Sequence, residues 1–273
     1  MINIPQDLTA EERDYLESTL KIIGTSPALE SIWLMMDLAW QSSGCDRKDP
    51  TPEQLAKFYN SPVWLLNGLF IEQHEVSVGH RRKFTEAILD LRPGQVCDYG
   101  GGYGSLARMI AKDSSAISVD LFEPHPHRSS LGFSAELVNL RHVAQLYGPY
   151  DVIIATDVFE HVTDPLAEVE KTSLHLKPGG RYLIANCFYP VIKCHLPCTF
   201  HFRNSFVSIL SEMNLKPVRQ VAYGTIFEKT GEVRVTPRIR RLEKRSRIKF
   251  AYFGFLDSFR ELRKLCLPGA SVL

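Results

Sequence analysis

The run Val96-Cys97-Asp98-Tyr99-Gly100-Gly101-Gly102-Tyr103-Gly104, continued by Ser105-Leu106-Ala107-Arg108-Met109-Ile110-Ala111, constrains this chain more than any other stretch. A short apolar segment ends in an acid, glycines crowd together, and apolar residues then recur at helical spacing. The pattern predicts strand, tight turn and helix. Glycine suits such a turn because the chain reverses within a few residues, partly at positive φ, and because a Cβ would hold a ligand off the backbone. The helix starting near Gly104 aims free N–H groups at the same point, so the turn is expected to bind a nucleotide-like ligand.

Two spacings compete for the identity of that ligand. Gly102, Gly104 and Ala107 fit the G-x-G-x-x-A form of the dinucleotide fingerprint, the basis of an NAD(P) oxidoreductase reading. Asp98, Gly100, Gly102 and Gly104 fit D-x-G-x-G-x-G, which resembles motif I of the class I S-adenosylmethionine (SAM) dependent methyltransferases. A carboxylate beside the loop repels a diphosphate and attracts the ammonium of a methionyl group. Further on, Tyr150 to Thr156, then Asp157-Val158-Phe159-Glu160-His161-Val162-Thr163-Asp164-Pro165 and Leu176-Lys177-Pro178-Gly179-Gly180, are similar to the post-motif series of the same family. Together the two motifs span about Gln95 to Asn186. The resemblance implies a SAM-binding Rossmann-like domain, with Asp98, Gly100, Gly102, Gly104 and Asp157 on the cofactor.

After the glycine turn, strand and helix patterns alternate. Ala116–Phe122, Leu137–Val143, Asp151–Thr156 and Arg181–Asn186 read as strands, nearly all apolar as parallel strands covered on both faces should be. A helix near Asn204–Met213 and apolar segments at Val218–Tyr223 and Thr225–Phe227 complete the sheet. The fold class expected is α/β, a doubly wound, mostly parallel sheet with an N-terminal helical extension and its ligand beyond the carboxyl ends of the strands. Residues 91–230 form this domain, 1–90 a helical lid or accessory region, and 231–273 a basic and aromatic tail.

The first ninety residues carry helix-start signals at Thr9 with Glu12, Ser26-Pro27, Thr51-Pro52 and Ser61-Pro62. Their apolar residues, among them Trp33, Met35, Trp64 and Phe70, exceed what one amphipathic face needs, so the helices are expected to pack over the following domain as a lid or a stabilising extension. His74, His80, Arg81 and Arg82 precede a helix expected at Lys83–Leu91. Arg81 or Arg82 is placed to pair with the ligand's carboxylate.

An acid at the end of the second strand accepts hydrogen bonds from both ribose hydroxyls. Glu123, before a strand-ending proline, is preferred to Asp120, which would bury a charge inside the strand. After the third strand the family often has an acid for the adenine amino group; here Gln145 or a backbone carbonyl has to serve. Candidate bases for a hydroxyl or protonated amine acceptor are His161 and, in the long segment Cys187–Phe202, His195 and His201. Two metal arrangements are weighed and neither is preferred: Asp157, Glu160 and His161, similar to ubiquinone-type O-methyltransferases, and Cys194-His195-x-x-Cys198-x-x-His201, with zinc-compatible ligands.

The 273 residues, 44% hydrophobic, suffice for one sizeable core and an accessory region, and the net charge of +1 excludes a general polyanion such as nucleic acid as partner. The sequence shows no charged-then-apolar leader and no bilayer-spanning run, so a soluble, cytoplasmic protein with reduced thiols is expected. In the tail, Arg234, Arg238, Arg240, Arg241, Lys244, Arg245, Arg247 and Lys249 stand against Glu243, with Phe250, Tyr252, Phe253, Phe255, Leu256 and Phe259 behind them. Such a tail either touches an anionic membrane surface or a phosphorylated acceptor, or is a solvated helix docked by its aromatic part. The expected function is SAM-dependent methyl transfer to a small-molecule or sugar acceptor, at oxygen. The alternatives are the oxidoreductase and a non-catalytic SAM-binding regulatory subunit.

Overall fold

A computed structural model of the chain describes residues 1–46, 50–127, 130–131 and 136–266, with side chains as far as Tyr252. The side chains of Phe253, Phe255, Leu256, Phe259 and Cys266 lie outside the described residues.

Helices α1 (Ala10–Ile23), α2 (Leu29–Ser42), α3 (Pro52–Tyr59), α4 (Val63–Ile71) and α5 (Glu75–Asp90) come first. There follow β1 (Gln95–Tyr99), α6 (Ser105–Asp113), β2 (Ser118–Phe122), β3 (Leu140–Val143), β4 (Tyr150–Thr156), α7 (Pro165–Ser173) and β5 (Leu176–Ala185). Then come α8 (Phe206–Glu212), β6 (Leu215–Val221), β7 (Gly224–Lys229) and the long α9 (Pro237–Cys266). The seven strands form one sheet in the order β3-β2-β1-β4-β5-β7-β6, all parallel except β7.

Alternation along the strands decides the layering. Val96, Val152 and Ile154 point to one face and pack with Phe84 and Ile88 of α5 and Leu106 and Ile110 of α6. Cys97, Ile153 and Ala155 point to the other, against Phe159, Leu166 of α7, Phe206 and Leu210 of α8, and Ile239 of α9. Both faces are thus covered, which is why the central strands read as continuous apolar runs. Each large apolar side chain so buried contributes about 1.5–3 kcal/mol.

The chain order reverses between β1 and β4, and a ligand crevice opens beyond the carboxyl ends of strands at such a switch. The glycine turn after β1 and the Asp157–His161 segment after β4 flank it.

The helical region divides before Glu75. Helices α1–α4 share a core of Leu16, Ile32, Met36, Trp40, Phe58 and Leu66, and this core takes in Tyr103 of the glycine turn and Cys194. Helix α5 belongs instead to the sheet, because Phe84, Ala87 and Ile88 face the strands. It also starts well before the expected Lys83, so His80, Arg81 and Arg82 lie on it rather than ahead of it. Thr9 and Thr51 form capping boxes with Glu12 and Gln54. Ser26-Pro27 caps nothing: α2 starts from Ala28, without a side-chain cap.

Candidate active site

The glycine turn is held open by backbone geometry that only glycine adopts cheaply. Gly100, Gly102 and Gly104 have φ of +68°, +56° and +79°. A Cβ on Gly100 would strike Val158 and one on Gly104 would strike Leu121, but nothing lies within 4 Å of the Cβ position of Gly102. The turn is packed from below and open at Gly102, the edge a ligand would take.

Asp98 lies beneath this turn, fully buried, with Oδ2 accepting the Ala107 N–H at 3.2 Å. Its other oxygen is buried without a partner. Burial pushes the carboxyl pKa up to about 7, opposed by the Arg81 guanidinium and the Ala107 N–H. An unfilled acceptor on an ionisable carboxyl fits a cationic donor such as an ammonium.

Glu123 stands one residue past β2. Its Oε2 accepts the Gly102 N–H at 2.9 Å and its Oε1 the His125 N–H at 3.0 Å, so the carboxylate lies on the rim of the turn with lone pairs to spare. A diphosphate would need that Gly102 N–H and would meet two carboxylates. Asp120 is committed elsewhere. Arg141 grips it with Nε and Nη2 at 2.6 and 3.0 Å, and the Tyr150 hydroxyl donates to it at 2.7 Å. The expectation that a charge at Asp120 has no partner is therefore corrected: the partners come from β3 and β4, and they occupy the carboxylate. Arg81 is half-buried and its charge acts on both Asp98 and Asp157, whereas Arg82 is exposed. Gln145 is exposed just beyond β3.

Across the crevice, Asp157 has φ +55° and accepts the Tyr223 hydroxyl at 2.8 Å. Although the residue keeps an exposed edge, surrounding protein and then the Glu160 charge push its carboxyl up to about 6. Glu160 is buried. It accepts the Cys187 N–H at 2.8 Å and the Asn186 side-chain amide, which anchors the segment after β5 to the end of β4.

His161 and His195 meet here, ring centroids 5.0 Å apart and edge to face. His161 Nδ1 lies 3.1 Å from the Cys194 carbonyl and His195 Nδ1 2.7 Å from the Tyr189 carbonyl. A carbonyl only accepts, so each Nδ1 carries the proton and each Nε2 keeps its lone pair. Burial, and then the neighbouring His195, lower the His161 pKa to about 3.

His201 does not join them. Its Nδ1 faces Ser246 Oγ of α9 at 3.1 Å and its ring packs on Phe202, so its contacts are with the helix behind the site. Neither proposed metal set assembles as written. Among the described residues the one group within chelating reach is Glu160, His161 and His195, without Asp157 and without the cysteines.

Three aromatic residues enter the site that sequence reasoning did not select. Tyr59 stacks on His125 (5.6 Å) and on Trp64 (5.4 Å), and Trp64 meets His161 edge-on at 6.1 Å. These rings form a row from the Glu123 rim to the histidine pair, and Trp64 Nε1 is buried with no partner. Tyr223, in the β6–β7 turn, closes the other side against His80 and Phe84. No local signal marks them; a hairpin turn and two helix-end aromatics become site residues only when the sheet order and the roof are known.

Residues 72–205 match the Methyltransf_23 family of methyltransferase domains. The chain is 32% identical over 139 residues to the ubiquinone biosynthesis O-methyltransferase of Escherichia coli O7:K1. That similarity covers 47% of this chain and 58% of the relative, so the chain spans little more than half the length of the curated relatives it matches. Among solved structures, an O-methyltransferase family protein from Burkholderia thailandensis superposes with a TM-score of 0.55 at 12% identity, covering 76% of this chain and 74% of that one. Human N-acetylserotonin methyltransferase in complex with SAM gives 0.52 at 16% identity, over 78% and 70%. Both likenesses are of fold. The domain match over residues 72–205, which hold the glycine turn and the acid beneath it, is to methyltransferase domains, and the fold is one shared with SAM-dependent methyltransferases.

Proposed function

We propose that the chain transfers a methyl group from SAM to a hydroxyl of a small-molecule or glycan-type acceptor. The observation that carries this reading is the pair of histidines, each with Nδ1 tied to a carbonyl and Nε2 free, placed across the crevice from the open glycine turn. Asp98 and Arg81 would hold the ammonium and carboxylate of the methionyl part, and Glu123 the ribose hydroxyls. Bound there, SAM supplies a methyl carbon activated by its sulfonium.

What the chain adds is positioning and a place for one proton. His195 Nε2 takes the proton from the acceptor hydroxyl, whose oxygen then has the electron pair for the new bond to carbon. His161, with its low pKa, does not keep a proton at neutral pH and serves as a hydrogen-bond acceptor that orients the hydroxyl. The Glu160 carboxylate, gathered with both histidines, favours the imidazolium that forms. The ring row of Tyr59 and Trp64 supports a flat acceptor lying between the roof and His161, with the indole N–H free to donate to it. Holding the hydroxyl in line with the methyl carbon accounts for most of the acceleration expected.

Calorimetric titration with S-adenosylhomocysteine and with NAD tests the cofactor, and transfer of labelled methyl from SAM across phenols, sugars and amines tests the acceptor. Binding of NAD at comparable affinity refutes the reading. Cofactor binding without transfer to any acceptor favours the regulatory subunit.

A second reading rests on the Glu160, His161 and His195 group, which has the ligand types and spacing for a divalent cation. Carbonyl-bound Nδ1 atoms orient histidines for a metal as well as for a proton. Loss of transfer on chelation and its return with added zinc or magnesium would select this reading over the base.

A further inference from the structure

Helix α9 is anchored along one side and exposed along the other. Ile239 and Ser246 are buried against the sheet domain, and Glu243, also buried, receives Arg240 and Arg247. Ser246 bonds His201 and Ser205, and the Arg203 guanidinium lies over the rings of both Phe250 and Tyr189, whose carbonyl orients His195. The helix is thus fastened to the segment that carries the candidate base.

The outward side follows the 3.6-residue repeat. Arg238, Arg241, Arg245, Ile248 and Tyr252 fall on one stripe, with Lys244 and Lys249 at its margins. Arg238 pairs with Glu212, but among the described residues Arg241, Lys244, Arg245 and Lys249 have no acidic partner. Ile248 and Tyr252 are each 59% exposed in the middle of these charges. The chain as a whole carries only +1, so the charge is a local feature of α9 and not a property of the surface at large.

We propose that this face of α9 docks the protein on an anionic lipid surface. A cationic stripe attracts phospholipid headgroups, and an isoleucine and a tyrosine among the cations are suited to the headgroup boundary, where an apolar body and a polar tip are both satisfied. Nucleic acid would be served by the cations alone and leaves the exposed isoleucine unexplained. No helix among the described residues is long and apolar enough to cross a membrane, so the contact is peripheral. Because α9 is fastened to the Tyr189–Arg203 segment, docking would hold that segment on the inner side of the bound helix.

Flotation of the full chain with vesicles tests this, using phosphatidylcholine alone and an equimolar mixture with phosphatidylglycerol. Binding is expected to the mixed vesicles only and to be released by salt. Arg241→Glu/Arg245→Glu/Lys249→Glu should lower the partition coefficient by at least a hundredfold, at about fivefold per basic residue removed. Ile248→Ser/Tyr252→Ser should lower it without changing its salt dependence. Lys21→Glu/Lys112→Glu/Lys216→Glu, on exposed sites elsewhere, should retain most of it. The proposal is overturned if the mixed vesicles are not bound, if the two triple variants lose binding equally, or if single-stranded DNA competes the vesicles off while the Ile248/Tyr252 variant binds like the parent.

Discussion

Gly68 of α4 rests on Tyr103 of the glycine turn so closely that a Cβ on Gly68 would stand 2.6 Å from the Tyr103 Cβ. Tyr103 in turn belongs to the core of the N-terminal helices. Beside this contact, Glu72 at the end of α4 accepts from Ser105 Oγ at 2.8 Å and pairs with Arg108, fixing the first turns of α6. Roof and cofactor turn are therefore one packed unit. Gly68→Val is predicted to destabilise the protein by about 1–3 kcal/mol, the usual cost of overpacking, and to weaken S-adenosylhomocysteine binding through the displaced turn. Gly79→Ala, where a Cβ meets nothing within 4 Å, is the control. Thermal unfolding and calorimetry read both; unchanged affinity in a folded Gly68→Val protein would show that the roof does not set the turn.

The two acids of β2 and its end separate stability from binding. Glu123→Gln is predicted to weaken S-adenosylhomocysteine by about 1–3 kcal/mol, the range for a hydrogen bond to a charged group, with little change in Tm. Asp120→Asn should do the opposite, lowering Tm with affinity near the parent value, because Arg141 and Tyr150 lose a charged acceptor that is only 2% exposed. The reverse assignment of effects would place the ribose acid at Asp120.

Asp98 gives a pH dependence with a definite sign. Its folded pKa, about 7, lies above the ordinary carboxylate value because the charge is buried. The folded protein thus holds a proton that the unfolded chain releases. That stabilisation is complete below the unfolded pKa and is lost as pH rises to about 7. An ammonium needs the ionised form. Affinity for S-adenosylhomocysteine should therefore rise between pH 5 and pH 7, on the order of tenfold per unit at most, and level off above. Asp98→Asn should abolish this slope and weaken binding, yet unfold at a higher temperature than the parent at pH 8, where the parent carries the buried charge. A lower Tm for the variant at pH 8 would contradict the burial argument.

What the sequence disclosed and what it hid follow one physical division. Glycines at positive φ and an acid below them leave a local record, so the turn at Gly100–Gly104 and the doubly wound sheet were legible from spacing and apolar runs. The place of Glu123 just past β2 was legible for the same reason, since a proline marks the end of its strand. Relations between distant segments were not. Nothing near Asp120 announces Arg141 and Tyr150, which become neighbours only through β3 and β4. Nor does anything near His195 separate it from His201, six residues on. The first turns toward His161 through the Tyr189 carbonyl, the second toward Ser246 of α9, 45 residues later. Likewise α5 reads as one more roof helix until Phe84 and Ile88 are seen against the strands.

That contrast between the histidines yields the last prediction. His195→Ala should lower turnover of a hydroxyl acceptor by about 10²–10⁴, the usual contribution of a positioned base, while S-adenosylhomocysteine affinity stays near that of the parent. His161→Ala should act mainly on the acceptor's KM, because a histidine with a pKa near 3 orients the hydroxyl without retaining its proton. His201→Ala should lower Tm and spare turnover, since its ring packs on Phe202 and its Nδ1 faces Ser246. If the base reading holds, a chelator leaves turnover of the parent unchanged. If instead Glu160→Gln and His195→Ala both lose activity that chelation also removes from the parent, and cation titration detects binding to the parent but to neither variant, the three side chains hold a metal and His195 is its ligand.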